Sequence, residues 1–337
     1  MESIERKTDI LWELLQRRSV MKLRINFCDM AKDFNKDDNY FVNIIKKHFE
    51  GYEISETPDF LFYSVFGTTH LKYNNCVKVF ITGEAAAPDF NECDYAIGFD
   101  WITFEDRYFR RPVWMEEERF YKNYAEISDV DALERKFCNF IYFNDSKGEG
   151  TEFRKKFVQK LSEYKRVDCP GKVMNNMKAN LVGRYDGDWR KGKVDFIKDY
   201  KFTIAFENTS YRGYTTEKML HPIAAKSIPI YWGNPVVERD FNADAFINCN
   251  GYENQVDRII EKIIEIDSND DKYLEMLHSS PMSNTFNEKE FEDFESFILN
   301  IFNKGNVPYN KDPINFAKRM SVDSMSRKEK IRYFFLK

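Results

Sequence analysis

The stretch FTIAFENTSYRGYTTEKMLHPIAAKSIPIYWGNP, residues 202–235, decides the fold class. Its apolar opening FTIAF has the length of a buried strand, FENTSYRGYTT is polar and turn-forming, EKMLHPIAAKS reads as a helix, and IPIYWG is a second buried run. Strand, turn, helix, strand is the repeating unit of an α/β layer with a parallel sheet. In such a sheet ligands collect beyond the carboxyl ends of the strands, which is where Glu207, Asn208 and Thr209 fall. Gly213 lets the backbone turn or come close to a ligand, and Thr215 or Thr216 caps a helix starting near Glu217. The amide end of that helix favours an anion, and Lys218 stands beside it. For a TEK triplet taken alone, a first-turn glutamate followed by a solvated lysine is the simpler account.

Outward from this stretch the same alternation continues. Before it come LRINF (23–27), DFLFYSVFG (59–67), CVKVFITG (76–83), DYAIGF (94–99) and CNFIYFND (138–145), all read as strands, with a helix over 39–50 and a leading helix over 4–18. A second series begins with a helix over 151–164 and runs through the central stretch to DAFINC and the amphipathic YENQVDRIIEKIIEID. A chain of 337 residues accommodates two such units, and we place them at residues 1–150 and 151–300, with a C-terminal helical segment and basic, aromatic tail over 301–337. The glycine-rich segment 168–194 is a rival break or a ligand-facing loop.

Composition narrows the function. A net charge of −5 lacks the positive field of a general nucleic-acid binder, so nucleic acid is not an expected partner and any phosphate must be held locally. The six cysteines form no CxxC or Cys/His cluster, fit a reduced compartment, and read as packing residues. The four histidines show no HxxxH or HExxH spacing, and Asp33, Asp37 and Asp38 alternate with Lys32 and Lys36 as in a solvated turn, so no metal is expected. Neither a signal-like apolar core nor the roughly 20 apolar residues of a membrane span is visible, and a cytoplasmic protein is expected. Residues 318–337 mix seven basic side chains with aromatics, as in a segment lying on anionic lipid at the inner membrane face or a frayed helix with a solvated basic side. The 31 Phe and 19 Tyr are mainly core material, although aromatic faces also suit sugar rings.

The combination FENTSYRGYTTEK followed by IPIYWG resembles the donor-binding signature of the α1,3/α1,4-fucosyltransferases, glycosyltransferase family 10, and most closely its bacterial members. VFITGEAAAPDFNECDYAIGFDW (79–101) and FEDRYFRRP (104–112) resemble the acceptor block of the same family, so that the resemblance spans about residues 22–300. It implies a GT-B glycosyltransferase fold, two Rossmann-like domains facing across a cleft, with acceptor held mainly by the first and GDP-fucose by the second. It implies an inverting α1,3-fucosyltransferase acting on the N-acetylglucosamine of lactosamine-type glycans to give Lewis x structures, without an essential cofactor or metal. An enzyme of α1,4 or dual linkage, or a catalytically silent glycan-binding protein on the same scaffold, are the alternatives.

By the same resemblance Glu84 matches the general base, Glu217 the carboxylate near the fucose ring, Lys218 the diphosphate cation, and Asn208 and Tyr214 ribose- or fucose-contacting positions. Inversion requires one base on the face opposite the leaving group, and a carboxylate beside the ring suits an oxocarbenium-like transition state. The family's diphosphate arginine has no clear counterpart in PGKVMNNMKANLVGRYDGDW, where Met174 occupies one register. Lys172, Lys178 or Arg184 is expected to substitute, although a lysine cannot reproduce an arginine fork.

Overall fold

The computed structural model describes residues 22–117, 126–146, 148–178, 188–287, 289–309 and Ser326. The chain divides into two compact units, one formed by Met1–Gly98, Ile102–Arg110 and Lys289–Lys337, the other by Phe99–Trp101 and Arg111–Glu288.

The first unit is built on a six-stranded parallel sheet in the order β2-β1-β3-β4-β5-β6. Its strands are β1 (Leu23–Cys28), β2 (Tyr52–Ile54), β3 (Phe60–Tyr63), β4 (Val77–Ile81), β5 (Tyr95–Gly98) and β6 (Tyr108–Arg110). Every residue of β3 and β5 is buried, as a parallel strand covered on both faces requires. Helix α1 (Tyr40–His48) starts where Asn39 accepts a hydrogen bond from the Val42 amide, buries Phe41, Val42, Ile44 and Ile45, and ends on Lys46, Lys47 and His48, which complement the helix dipole.

A helix over Phe294–Asn303 returns to this unit and places Phe294, Ile298, Ile301 and Phe302 in its core, with the Phe302 ring 4.9 Å from that of Phe60. Burying each such side chain contributes about 1.5–3 kcal/mol, so four of them fix where the helix docks. The expected boundary at residue 300 is therefore corrected: it falls inside a single helix, and the chain re-enters the first unit at Lys289.

The second unit carries a five-stranded parallel sheet in the order β11-β10-β9-β7-β8. The strands are β7 (Lys136–Asn139), β8 (Val167–Asp168), β9 (Tyr200–Phe206), β10 (Ile228–Trp232) and β11 (Ile247–Asn248). The helix α2 (Asp129–Leu133) precedes them, and between or after them lie α3 (Glu149–Leu161), α4 (Trp189–Ile197), α5 (Glu217–Ala224), α6 (Val256–Asp267) and α7 (Asp270–His278). The expected boundary at residue 150 is corrected as well. That boundary assigns CNFIYFND to the first domain, but β7 pairs with β9 through Cys138↔Phe202 and belongs to the second sheet. Phe140, Phe157, Phe206 and Trp232 share its core, so the described residues between 111 and 150 belong to the second unit.

All six cysteines are unbridged, and five are buried, in keeping with packing roles. No helix among the described residues is long and apolar enough to cross a membrane. The leading helix expected over 4–18, Arg184 and the basic tail over 318–337, apart from Ser326, lie outside the described residues.

Candidate active site

The turn between β9 and α5 forms as the residue types dictate. At the end of β9 the Glu207 amide donates to the Trp232 carbonyl at 2.8 Å, which fastens the turn to β10. Thr216, in extended backbone conformation, is the N-cap, and its hydroxyl oxygen accepts from the Lys218 amide. Gly213 has φ +86, and a Cβ there would lie 2.6 Å from the Phe99 carbonyl oxygen, so glycine is needed for both conformation and close approach. The approach is to the chain's own backbone. The Gly213 amide donates to Asn234 Oδ1 at 2.8 Å, and Asn234 Nδ2 donates to Thr215 Oγ1 at 3.0 Å, so the residues after IPIYWG hold the GYTT turn in place.

Glu207 is turned inward and fully buried. Its carboxylate accepts from the Thr216 amide at 2.8 Å, from the Thr216 hydroxyl at 2.9 Å and from Lys218 Nζ at 3.0 Å. Lys218 Nζ also donates to Thr216 Oγ1 at 3.1 Å and lies 3.8 Å from Glu217 Oε1. Burial disfavours the ammonium, but the two flanking carboxylates raise its pKa well above the usual lysine range. Burial pushes the Glu207 carboxyl up, against the pull of Lys218. Burial acts the same way on Glu217, yet Lys218, Lys193, His221 and the helix amide outweigh it and hold Glu217 well below the ordinary carboxylate range. Glu217 is thus an anion at neutral pH, partly exposed, next to a fixed cation.

The structure brings Asn208, Tyr214, Glu217 and Lys218 onto this one turn-and-helix segment. Asn208 is half-buried, and its Oδ1 accepts from Arg154 at 3.2 Å. The Tyr214 ring is buried 5.4 Å from Phe99, so among the expected ligand-contacting residues it is a packing residue as well. Lys172 and Lys178 are exposed on the segment after β8, and neither hydrogen-bonds nor ion-pairs with Glu207, Asn208, Thr216 or Lys218. Glu84 belongs to the first unit, exposed just beyond β4. Its amide donates to Thr82 Oγ1 and its carbonyl accepts from the same hydroxyl, both at 2.9 Å, so the backbone carrying the carboxylate is locked. Among the described residues no group of three or more His, Cys, Asp or Glu side chains is disposed to hold a metal ion.

Two participants escape sequence reasoning. The pattern puts Glu207 at the strand end but does not reveal it as the partner of Lys218. Arg154 sits on the buried stripe Arg154, Phe157, Val158, Leu161 of α3, and the i, i+3, i+4, i+7 spacing is the signal that marks it. Four residues before it, Gly150 lets α3 press on the turn: a Cβ there would lie 2.5 Å from the Glu207 carbonyl oxygen and 2.6 Å from that of Asn208. Alanine at this position would gain about 0.5–1 kcal/mol of helix propensity. Overpacking against backbone costs about 1–3 kcal/mol, so Gly150→Ala is expected to be destabilising. An unchanged melting temperature would show that the helix end can withdraw.

Comparison with known proteins matches residues 25–116 to the N-terminal domain of the α-(1,3)-fucosyltransferase FucT, and residues 134–292 to the C-terminal domain of glycosyltransferase family 10 (fucosyltransferase). The α-(1,3)-fucosyltransferase FucT of Helicobacter pylori is 29% identical over 310 residues, covering 79% of this chain and 62% of that protein. The chain thus spans somewhat under two thirds of that relative's length. A crystal structure of an α1,3-fucosyltransferase aligns with TM-score 0.68 and 25% identity, over 88% of this chain and 94% of the other. One of an α1,3-fucosyltransferase with GDP-fucose aligns with TM-score 0.63 and 24% identity, over 85% and 95%. The two parallel-sheet α/β units are those of the GT-B fold.

Proposed function

Since the chain belongs to glycosyltransferase family 10, the fucosyltransferases, we propose that it transfers L-fucose from GDP-fucose to a glycan hydroxyl with inversion. The observation that carries this is the pairing of an ionised Glu217 with a Lys218 fixed by buried Glu207, at the amino end of α5 and the carboxyl end of β9. The acceptor oxygen attacks the anomeric carbon as the bond to the diphosphate oxygen breaks. Glu84 takes the hydroxyl proton, the Glu217 carboxylate stabilises positive charge developing on the ring, and the Lys218 ammonium offsets the charge that leaves with GDP.

Within this reading the acceptor is the N-acetylglucosamine of a lactosamine-type glycan and the linkage is α1,3, giving Lewis x, in the cytoplasm. Incubation with GDP-fucose and a panel of type 1 and type 2 lactosamine acceptors, followed by linkage analysis, tests it. An α1,3 product on the type 2 acceptor is expected. Fucose on the 4-hydroxyl of a type 1 acceptor would give the α1,4 alternative, and GDP binding without turnover the silent one.

Because a lysine already offers the leaving group a positive charge, no essential metal is assigned. Turnover is expected to persist in EDTA. Complete loss that divalent cation restores would overturn that assignment.

A further inference from the structure

Resting on the acceptor reading above, we propose that Phe66 is a specificity-determining residue for the acceptor: its ring is the platform on which the galactose of a lactosamine-type glycan stacks. In the first sheet the chain leaves β1 toward β2 on one side and β3 toward β4 on the other, so the neighbours β1 and β3 form its switch point. Ligands of open α/β sheets gather beyond the carboxyl ends of the strands at such a point. Two segments occupy that place, Asp29 directly after β1 and residues 64–70 directly after β3. Residues 65–69, VFGTT, are all exposed and uncharged, and Phe66 is 55% exposed.

The loop that carries this ring is tied down. The Phe66 amide donates to the Asp29 carbonyl oxygen at 3.0 Å. The Thr69 amide donates to Asp29 Oδ1 at 3.0 Å, and the His70 amide and imidazole Nδ1 each donate to Asp29 Oδ2 at 2.8 Å. The His70 ring is buried and stacks on Tyr63, the last residue of β3, with centroids 4.1 Å apart. Asp29 itself has left-handed backbone, φ +54, which a non-glycine residue keeps where its surroundings fix it and which gathers at ligand sites. A loop held in this way loses little freedom when a ligand settles on it.

The chemistry on offer is that of a neutral sugar: an aromatic face and two threonine residues, with no charge in residues 65–69 for a phosphate or carboxylate. The axial hydroxyl of galactose leaves one face of its ring with C–H bonds only, the face that suits a phenyl ring. The site lies beside the assigned base. Tyr63 pairs with Phe80 across β3 and β4, Phe66 follows three residues after the one and Glu84 four residues after the other, and neighbouring strands are about 4.8 Å apart. The two strand exits are thus closer together than a disaccharide is long. With N-acetylglucosamine at Glu84, the galactose linked to it is the ring that reaches the loop after β3.

The test measures kinetics with GDP-fucose and either the type 2 disaccharide or free N-acetylglucosamine, together with melting temperature and oligomeric state, in the full chain and its Phe66→Ala, Phe66→Leu and Phe66→Tyr variants. Phe66→Ala is expected to raise the KM for the disaccharide about three- to tenfold, as for one lost aromatic contact, with the GDP-fucose KM and the melting temperature unchanged. The advantage of the disaccharide over free N-acetylglucosamine should shrink by the same factor. Phe66→Tyr, which keeps the ring, should behave as wild type, and Phe66→Leu, which keeps apolar bulk without a flat face, as Phe66→Ala. An unchanged disaccharide KM in Phe66→Ala overturns the proposal, as does an equal loss on both acceptors or wild-type behaviour of Phe66→Leu. A changed oligomeric state with unchanged acceptor KM also overturns it, and gives the ring to contact between copies of the chain. In each of these cases wild-type transfer persists, whereas a wild-type chain that fucosylates neither acceptor removes the acceptor reading itself.

Discussion

Glu84→Gln is expected to lower fucose transfer by about 10²–10⁴-fold, the usual contribution of a positioned general base, while leaving GDP affinity at the wild-type value. The amide is isosteric with the carboxylate but cannot take a proton. The backbone should not move, because the bonds holding it run between Thr82 Oγ1 and the Glu84 main chain and do not involve the carboxylate. Glu84 also lies in the unit that does not contain Asn208, Glu217 and Lys218, so a base acting on the acceptor can be removed without disturbing the donor segment. Parallel measurement of turnover and GDP binding decides the matter. Near-normal turnover would take Glu84 out of the reaction, and a matching loss of GDP affinity would make its effect structural.

Much of the segment from β9 through α5 to β10 is legible in the sequence. FTIAF and IPIYW are apolar runs too long and too uniform for exposed strands, and the polar stretch between them contains its own cap, so β9, α5 and β10 can be placed from residue types alone, while the choice of Thr216 over Thr215 as N-cap comes from the structure. What the pattern lacks is sheet membership. The apolar run that contains β7 looks like the strands of the first unit, and only its pairing with Phe202 shows that it belongs to the second. The returning helix Phe294–Asn303 is hidden for a related reason: an amphipathic face shows that a helix docks, without showing on which core. Of the diphosphate candidates, Lys172 and Lys178 are exposed and take no part in the Glu207–Lys218 bonds, whereas the buried cation beside Asn208 is Arg154, 54 residues earlier in the chain. Sequence distance hides such a partner.

Lys218 shows how the structure changes an experiment that the sequence suggests. As a solvated clamp it could be cut back to alanine at little cost, and weaker GDP binding would follow directly. In the structure Lys218 Nζ is 3.0 Å from a carboxylate with no exposure at all. Removing one partner of a buried ion pair costs about 3–5 kcal/mol. Native proteins have about 5–15 kcal/mol to lose, so Lys218→Ala is expected to melt markedly earlier and to bind GDP poorly for two reasons at once. The charge-neutral pair Glu207→Gln/Lys218→Met separates them. In that variant the glutamine keeps an oxygen for the Thr216 amide, the methionine fills the space of the lysine stem, and no buried charge is left alone, so stability should return close to wild type. GDP affinity should stay low, by about ten- to a hundredfold, because a charge-assisted contact to phosphate worth about 1.5–3 kcal/mol is absent. If the double variant is stable and binds GDP as tightly as the wild type, Lys218 serves the fold through Glu207 and is not a phosphate ligand. If Lys218→Ala alone melts at the wild-type temperature, the Glu207–Lys218 pair is not what fixes the turn.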